Sequence, residues 1–235
     1  AYHHGEVSLH NTITHMASQY VGCNNIPLLY RDGQFGSRSE GGKDSANARY
    51  ISTKLDKLTR LIYRIEDEPL LSYKEDDGQR IEPEFYVPII PMICVNGCIT
   101  GIGTGWSCNI PCYNPLDLIE CIRIWLKHEK NGVSSAVSKE DDMIISEFPN
   151  IKPWYLGFKG EINLLTEGKY ITYGKIEENK KSCRVTELPI GTWINDFEDQ
   201  LASFKEDKLI KNYKNHSDPD NVDFTVFEDE NGFEC

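Results

Sequence analysis

The sequence lacks several features that would assign it to other classes of protein. No apolar run is long enough to cross a bilayer, so no membrane partner is expected. No Gly-x4-Gly-Lys-Ser/Thr loop is present, which excludes that common ATP-binding motif from this chain. At 39% hydrophobic and 26% charged residues over 235 positions, the composition is typical of an ordinary soluble protein with a substantial core.

The usual two-residue spacing of zinc-binding cysteines is also missing. Four of the eight cysteines do lie close together, as Cys94-x3-Cys98 and Cys108-x3-Cys112. Cys94, however, falls within an apolar run, where cysteine behaves as a small core residue. Structural zinc favours tighter pairs, so we predict no zinc site.

Clustered acids are the other place to look for a metal site. The candidates are Asp76-Asp77, Asp141-Asp142 and Asp218-Pro219-Asp220, each in a polar segment typical of a solvated loop. We therefore predict no metal-binding residue in this chain.

Charge is unevenly distributed along the chain. The net charge is −12, which argues against a nucleic-acid partner when taken as a whole. Residues 1–64 nevertheless hold eight Lys/Arg against five Asp/Glu, a net of +3, and the remainder carries −15. A basic segment joined to an acidic body fits a DNA-contacting module on a support.

The stretch from Gly41 to Tyr50 points to a specific chemistry. A tyrosine hydroxyl has an ordinary pKa of about 10, so it needs adjacent positive charge or a metal before it attacks as a phenolate. Arg49 provides a permanent charge next to Tyr50, and Arg38 and Lys43 lie in the same glycine-rich segment. The pattern suggests a tyrosine that attacks a phosphodiester. The alternative interpretation, which is more common for an Arg-Tyr pair, is that the tyrosine is a half-buried aromatic residue at the start of a helix.

Periodicity predicts the elements around this loop. Apolar residues at helical spacing predict helices over 6–20 and 51–64, the second with a basic face, and a short apolar run lies between them. Helix, strand, glycine-rich loop and helix is compatible with a winged-helix DNA-binding domain over residues 1–84. A second domain is predicted over residues 85–235.

The second domain is predicted to mix helix and antiparallel sheet. Residues 86–95 are interpreted as a buried strand, residues 115–128 as a helix, and 161–165, 169–177 and 183–189 as an antiparallel meander. The end, 218–235, is acidic and poorly patterned. The predicted fold class is therefore α+β.

An ordered set of short motifs closely resembles the breakage-reunion region of eukaryotic-type DNA topoisomerase II, a type IIA family. The likeness covers most of residues 1–205, and the set is specific although each piece alone is not. The motifs are Tyr-His-His-Gly-Glu at 2–6, Asn-Asn-Ile at 24–26, Gly-Gln-Phe-Gly-Ser-Arg at 33–38, Gly-Gly-Lys-Asp at 41–44, Ala-Arg-Tyr-Ile at 48–51, Glu-Pro-Glu-Phe-Tyr at 82–86, Gly-Ile-Gly-Thr-Gly-Trp at 101–106 and Thr-Glu-Leu-Pro at 186–189.

The resemblance implies a catalytic set. The chain would consist of the winged-helix domain followed by part of the family's tower domain. Tyr50 would attack a backbone phosphate and leave a 5′-phosphotyrosine, and Arg49 would stabilise the charge on the phosphate oxygens. His4 would hydrogen-bond the scissile phosphate or its neighbour, with His3 beside it at the DNA. A His-His pair at a helix start is otherwise a cap or a core contact.

The resemblance also implies a DNA-binding set. Lys43 and Arg38 would hold phosphates, although taken alone they are solvated charges. Ile102 matches the side chain that the family inserts between base pairs to bend the duplex, and its other interpretation is a buried loop anchor. One departure is that Cys98-Ile99-Thr100 makes the link before Gly101 longer than is usual in the family.

As a full-length protein, the family member would be an ATP-hydrolysing topoisomerase that acts as a homodimer on double-stranded DNA in the nucleus. The Mg²⁺ ligands and the ATP-binding domain would lie upstream of this chain, which opens at Ala1 and is expected to be part of something longer. The chain alone is therefore predicted to lack cleavage activity. Two other classes stay open, namely a non-catalytic winged-helix DNA-binding module and a tyrosine recombinase or nicking enzyme.

Overall fold

The computed structural model describes residues 2–130 and 146–228 as a mixture of helices and antiparallel sheets, which confirms the predicted α+β class. Two compact units are present, each built from two stretches of chain. Unit 1 comprises Ala1–Leu9 and Leu55–Trp154, and unit 2 comprises His10–Lys54 and Tyr155–Cys235. These units do not follow the predicted boundary between residues 84 and 85, and the division into winged-helix and tower domains stays a prediction.

Two of the three predicted helices are confirmed, 6–20 as α1, which ends at Ala17, and 115–128 as α4. α1 begins at Glu6, and α4 begins with Pro115, whose missing N–H suits a first helical turn. No helix among residues 2–130 and 146–228 has the length and apolar character needed to cross a membrane. The helices are α1 Glu6–Ala17, α2 Thr59–Ile62, α3 Met92–Val95, α4 Pro115–Lys130 and α5 Ile194–Glu206, with 3-10 helices at Ala48–Tyr50 and Ile65–Leu70.

The strand pairs whose register is described are all antiparallel. The strands are β1 Leu29–Asp32, β2 Ser52–Leu55, β3 Tyr73–Asp76, β4 Gln79–Pro83, β5 Cys98–Gly103, β6 Trp106–Ile110, β7 Glu161–Thr166, β8 Lys169–Tyr173, β9 Lys175–Asn179, β10 Ser182–Glu187, β11 Asn212–Asn215 and β12 Phe224–Phe227. β11, β12, β10 and β9 form a four-stranded sheet in that order, while β1–β2, β3–β4, β5–β6 and β7–β8 are two-stranded.

The largest core lies in unit 2, where one face of the four-stranded sheet packs against α5. Alternation along β12 turns Phe224 and Val226 inward, at 0% and 6% exposure, as expected for a half-buried strand. The rings of Phe197 and Phe224 meet edge to face with centroids 5.1 Å apart. The cluster comprises Val185, Leu188, Ile194, Leu201, Ile210, Val222, Phe224 and Val226.

Unit 1 is built from two hairpins, β3–β4 and β5–β6, together with α2, α3 and α4. Its buried apolar residues include Ile62, Ile90, Met92, Val95 and Leu118. Many other apolar side chains of this unit, such as those of Leu70, Phe85 and Trp106, are exposed.

The predicted second helix over residues 51–64 is wrong over most of its length. Residues 52–55 form β2, because Thr53 hydrogen-bonds the Tyr30 carbonyl of β1 through its hydroxyl at 2.6 Å and the strands pair. Only Thr59–Ile62 is helical. Leu55 and Leu61, which carried the helical spacing, are 51% and 64% exposed. Pairing with β1 therefore determines the structure of this segment more strongly than the helical spacing of its apolar residues.

The predicted buried strand over residues 86–95 is also wrong. Pro88 and Pro91 cannot donate ladder hydrogen bonds, and the segment instead ends in the short helix α3. Met92 and Val95 are buried while Ile93 is 55% exposed, which is the spacing of a helix face.

The predicted meander over residues 161–189 is correct in its strands and wrong in its connections. The segment 169–177 is divided at Gly174 into β8 and β9, which belong to different sheets. β10 pairs on its other side with β12, in the tail that the sequence predicted to be poorly patterned. β12 has only four apolar and β-branched residues, and the acidic residues around it obscure this strand pattern in the sequence.

Candidate active site

Tyr50 lies in unit 2, at the end of a single 3-10 turn that leads directly into β2. Its backbone N–H donates to the Asn47 carbonyl at 2.9 Å, which closes the turn. Gly33, directly after β1, packs against Ile51, so the residue that follows the tyrosine is held against the end of β1, the strand that pairs with β2. The Tyr50 side chain itself is 71% exposed. This exposure excludes the half-buried aromatic that was the common alternative.

Positive charge lies next to the Tyr50 ring. The Arg49 guanidinium carbon is 4.8 Å from the ring centroid, which is a cation–π contact. In the sheet formed by β1 and β2, Lys54 holds its ammonium 5.3 Å from the centroid of Tyr30. The exposed phenol thus has the exposed Arg49 guanidinium against its ring, an arrangement suited to an anionic ligand.

Asp44 fixes the glycine-rich loop that precedes the tyrosine. Its carboxylate accepts hydrogen bonds from the Ser37 N–H at 2.8 Å, the Ser37 hydroxyl at 2.6 Å and the Gln34 amide at 3.2 Å. A carboxylate satisfied by the loop itself locks the loop conformation. Sequence reasoning missed this role, and the only signal was an acid within a basic, glycine-rich segment.

The glycines of this loop allow close packing of the protein around it. A Cβ added to Gly36 would meet the backbone of Gly42 at 2.5 Å, and one added to Gly41 would overlap the Trp193 indole. A Cβ at Gly42 would lie 2.7 Å from the Tyr20 hydroxyl, and burial raises the pKa of that hydroxyl well above its ordinary value. The space beside these glycines is therefore filled by protein.

Arg38 does not match its predicted phosphate contact. Its side chain is buried, with the residue 3% exposed, and its guanidinium pairs with the carboxylate of Glu187, which is 1% exposed. It also donates to the Leu188 carbonyl at 3.2 Å. Glu187 accepts further hydrogen bonds from the backbone N–H of Leu188 at 2.8 Å and of Lys159 at 3.0 Å. Arg38 therefore ties the loop to β10 and offers no solvated charge.

Lys43, by contrast, is exposed at the surface of unit 2. Its backbone N–H donates to the Glu40 carbonyl at 3.3 Å, so the loop position is fixed while the ammonium group extends into solvent. Lys43, Arg49 and Tyr50 are therefore all exposed in unit 2, with contact shown between Arg49 and Tyr50, whereas Arg38 is buried and not accessible to a ligand.

The two predicted histidines lie in unit 1 and are exposed. His3 is 3.5 Å from Asp76 through Nε2, and the His4 ring packs edge to face on Tyr2 with centroids 5.5 Å apart. Neither ring is a core contact. Gly5 accepts the first backbone hydrogen bonds of α1, from Ser8 and Leu9, so the pair precedes the helix in an open segment.

Ile102 also lies in unit 1, near the tip of the β5–β6 hairpin. Gly105, with φ of +78°, makes the two-residue turn that joins the strands. Ile102 is opposite Ser107 and is 81% exposed, which excludes a buried loop anchor. A register shift between Cys98 and Gly101 absorbs the extra length of the preceding link.

The described residues do not fit a divalent metal ion. Across residues 2–130 and 146–228, no group of three or more His, Cys, Asp or Glu side chains is arranged to hold one. Asp218 instead accepts backbone hydrogen bonds from Asp220 and Asn221, both at 2.8 Å, and these bonds lower its pKa. Asp76 is close to His3, and Asp141-Asp142 lies outside the described residues.

Known proteins match this chain over nearly its whole length. The family model that describes the A subunit of DNA gyrase/topoisomerase IV matches residues 1–233. DNA topoisomerase 2 of Arabidopsis thaliana is 44% identical over 234 residues, covering 96% of this chain and 15% of that protein. The Invertebrate iridescent virus 6 enzyme of the same name is 40% identical over 230 residues, covering 96% of this chain and 19% of that protein. A Dictyostelium discoideum relative, named DNA topoisomerase 2, mitochondrial, is 41% identical over 234 residues. The match covers 100% of this chain and 17% of that protein.

A solved structure agrees with the fold. The crystal structure of the Plasmodium falciparum topoisomerase II DNA-binding, cleavage and re-ligation domain superposes with a TM-score of 0.85 at 41% identity, covering 97% of this chain and 29% of that one. The chain spans less than a fifth of the length of the three curated relatives. It belongs to the family of DNA gyrase and topoisomerase IV A subunits and matches part of the DNA-binding, cleavage and re-ligation domain of topoisomerase II.

Proposed function

We propose that this chain is the part of a type II DNA topoisomerase that carries the nucleophile, and that Tyr50 is that nucleophile. The observation that carries the proposal is the exposed Tyr50 side chain with the Arg49 guanidinium against its ring, in the turn that leads into β2. An exposed tyrosine beside a fixed cation is suited to reach a phosphate that approaches from solvent.

The reaction is a transesterification. The Tyr50 oxygen forms a bond to a backbone phosphorus, the bond from phosphorus to the 3′-oxygen breaks, and the phenol proton is lost while the leaving oxygen gains one. The product is a 5′-phosphotyrosine with a free 3′-hydroxyl, and attack by that hydroxyl reseals the strand. Arg49 stabilises the charge that develops on the phosphate oxygens. Because the phosphotyrosine bond replaces the phosphodiester, resealing needs no new energy input.

The DNA-contacting residues in this proposal are Lys43, His3, His4 and Ile102. Lys43 presents an exposed charge to a phosphate. His3 and His4 are exposed in unit 1, and we propose that His4 hydrogen-bonds the scissile phosphate or its neighbour. Ile102 is an exposed apolar side chain of the kind that wedges between base pairs and bends the duplex.

In the full-length protein, we propose that two copies form a homodimer that cuts both strands of one duplex and passes a second duplex through the break. ATP bound by another domain would drive passage and change supercoiling, and Mg²⁺ would be held by acids outside this chain. The proposed location is the nucleus. One relative is named mitochondrial and one is viral, so imaging of the tagged protein is the direct check of location.

The experiment that tests this function replaces Tyr50 with Phe in the full-length protein and traps DNA complexes with detergent. Loss of the hydroxyl removes the nucleophile and leaves the exposed ring and the Arg49 contact in place. We expect covalent adducts to disappear while non-covalent DNA binding persists. The matched control is Tyr173→Phe, since Tyr173 is a 48% exposed tyrosine of the same unit. This control is expected to form adducts at the wild-type level.

Each alternative class predicts a different result. If wild-type protein binds DNA but forms no adducts under any condition, the chain is a non-catalytic DNA-binding module. If adducts form on single strands without passage of a duplex, the protein is a nicking enzyme. Persistence of adducts in Tyr50→Phe would reject the assignment of this tyrosine.

A further inference from the structure

The cysteines of the Ile102 hairpin come together in a way that the proposed function does not use. Cys98 begins β5 and Cys108 lies on the paired strand β6. Residues 98 and 101 would point to opposite faces of a regular strand. The register shift between Cys98 and Gly101 changes this parity, so both cysteine side chains reach the face above Gly101.

The position of a Cβ built on Gly101 measures how close the two sulfurs are. That position is 2.6 Å from the Cys108 sulfur and 3.2 Å from the Cys98 sulfur. The sulfurs are therefore no farther apart than the sum of these two distances. Because Gly101 has no side chain, the space between the two sulfurs is not blocked by a Cβ at this position.

Both groups are free thiols that a small reagent can reach. Cys108 is exposed and Cys98 is half-buried. Rotation about the Cα–Cβ bonds is the movement available to bring the sulfurs to the roughly 2 Å of a disulfide bond. Cross-strand pairing already keeps the two backbones side by side.

We propose that Cys98 and Cys108 form a dithiol modification site that hydrogen peroxide converts to an intramolecular disulfide beneath Ile102. The exposed Cys108 thiolate attacks a peroxide oxygen, which gives a sulfenic acid, breaks the O–O bond and releases water once a proton is taken up. The Cys98 thiolate then attacks that sulfur, forming the S–S bond and expelling the oxygen as a second water. Two electrons pass from the thiols to the peroxide, and the protein loses two hydrogens.

The consequence is mechanical. The disulfide would join β5 to β6 below the turn at Gly105 and close a short loop that contains Ile102. Cross-linking removes the freedom of the strands to separate or shift register. The dithiol chemistry is independent of the proposed DNA chemistry, so its test needs no DNA.

The test exposes the full-length protein to hydrogen peroxide and maps its peptides without reduction. We expect a linked peptide joining Cys98 to Cys108, a mass decrease of about 2 Da at this site, and complete reversal by dithiothreitol. Cys98→Ser is expected to lose the linked peptide and to accumulate a sulfenic acid at Cys108 that dimedone traps. Gly101→Ala, which puts a methyl between the sulfurs, is expected to lower the yield.

Cys121 is the internal control, because burial raises the pKa of its thiol and it should stay reduced at the same dose. The proposal is wrong if Cys108 in the wild type is oxidised to the trapped sulfenic acid as extensively as in Cys98→Ser. It is also wrong if either cysteine pairs with a different partner in the native protein.

Discussion

Arg38 shows how one residue can carry the right charge for a binding site and serve another purpose. The sequence predicts a phosphate contact because the residue lies in a basic loop, and the structure buries it against Glu187. Burying a guanidinium or a carboxylate costs free energy because the charge leaves water. The attraction between the two groups offsets this cost only when they are paired. The carboxylate lies 149 residues away along the chain, so no local pattern could reveal this pairing.

Arg38→Met should therefore lower the free energy of unfolding by about 3–5 kcal/mol, because it leaves the Glu187 carboxylate buried without its cation. Urea denaturation of the chain followed by circular dichroism measures this. The matched control is the double variant Arg38→Met with Glu187→Leu, which removes both charges and should recover much of the loss. A single variant of unchanged stability that binds DNA less tightly would instead favour the phosphate contact.

Tyr50, Arg49 and Ile102 behave differently, since the sequence predicts side chains available to a ligand and the structure leaves them exposed. The features that identify these exposed residues lie close to them in the sequence. Tyr50 follows an arginine, and Ile102 lies between two glycines near a hairpin tip. The contact that depends on distant chain, between Gly41 and Trp193, was not predictable.

Secondary-structure elements were predicted well where apolar residues repeat at the spacing of a long helix. They were predicted poorly where pairing with another strand determines the structure. α1 and α4 follow from their own residues. β2 is a strand because β1 is beside it, and β12 is a strand because it is paired on both sides, by β11 and β10. Pairing between distant segments is a tertiary effect that a local window does not contain.

The β5–β6 hairpin supports a prediction about DNA bending. Ile102→Ala in the full-length protein should reduce bending of a doubly labelled duplex, measured by energy transfer, because it removes the apolar wedge. Thermal stability should change little, since Ile102 is 81% exposed. Ile99→Ala is the control, because Ile99 is 76% exposed on the same strand and is expected to leave bending unchanged. Equal loss in both variants would contradict the wedge.

The four-stranded sheet should show a defined response to acid. Arg184 of β10 holds Asp223 through two hydrogen bonds of 2.8 Å, and these bonds lower the pKa of the Asp223 carboxyl. A lowered folded-state pKa means that the stabilisation is present above the unfolded value of about 3.9 and is lost as pH falls through the folded value.

Asp223→Asn should therefore be less stable than wild type at pH 7, and the difference should shrink as the pH falls below about 4. Urea unfolding at several pH values measures the difference. If the difference in unfolding free energy between Asp223→Asn and wild type is the same at pH 7 and below about pH 4, ionisation of Asp223 contributes nothing to stability.

For the whole molecule, the chain is predicted to provide the nucleophile without the metal. No group of metal-binding side chains is present among the residues that the structure describes, and the chain covers only 15% to 19% of the length of the three curated relatives. Purified residues 1–235 with Mg²⁺ and DNA should form no covalent adducts in detergent, while the full-length protein forms them under the same conditions. Adducts on the isolated chain would show that it contains a complete cleavage site.

The residue that becomes joined to DNA can be identified by mass spectrometry. Full-length protein trapped on cleaved duplex is digested with nuclease and protease, and the remaining nucleotide-bearing peptide is sequenced. We expect a single peptide with a nucleotide attached through its 5′-phosphate to the Tyr50 oxygen. Attachment at any other residue, with Tyr50 recovered unmodified from the same complexes, would show that this tyrosine is not the nucleophile.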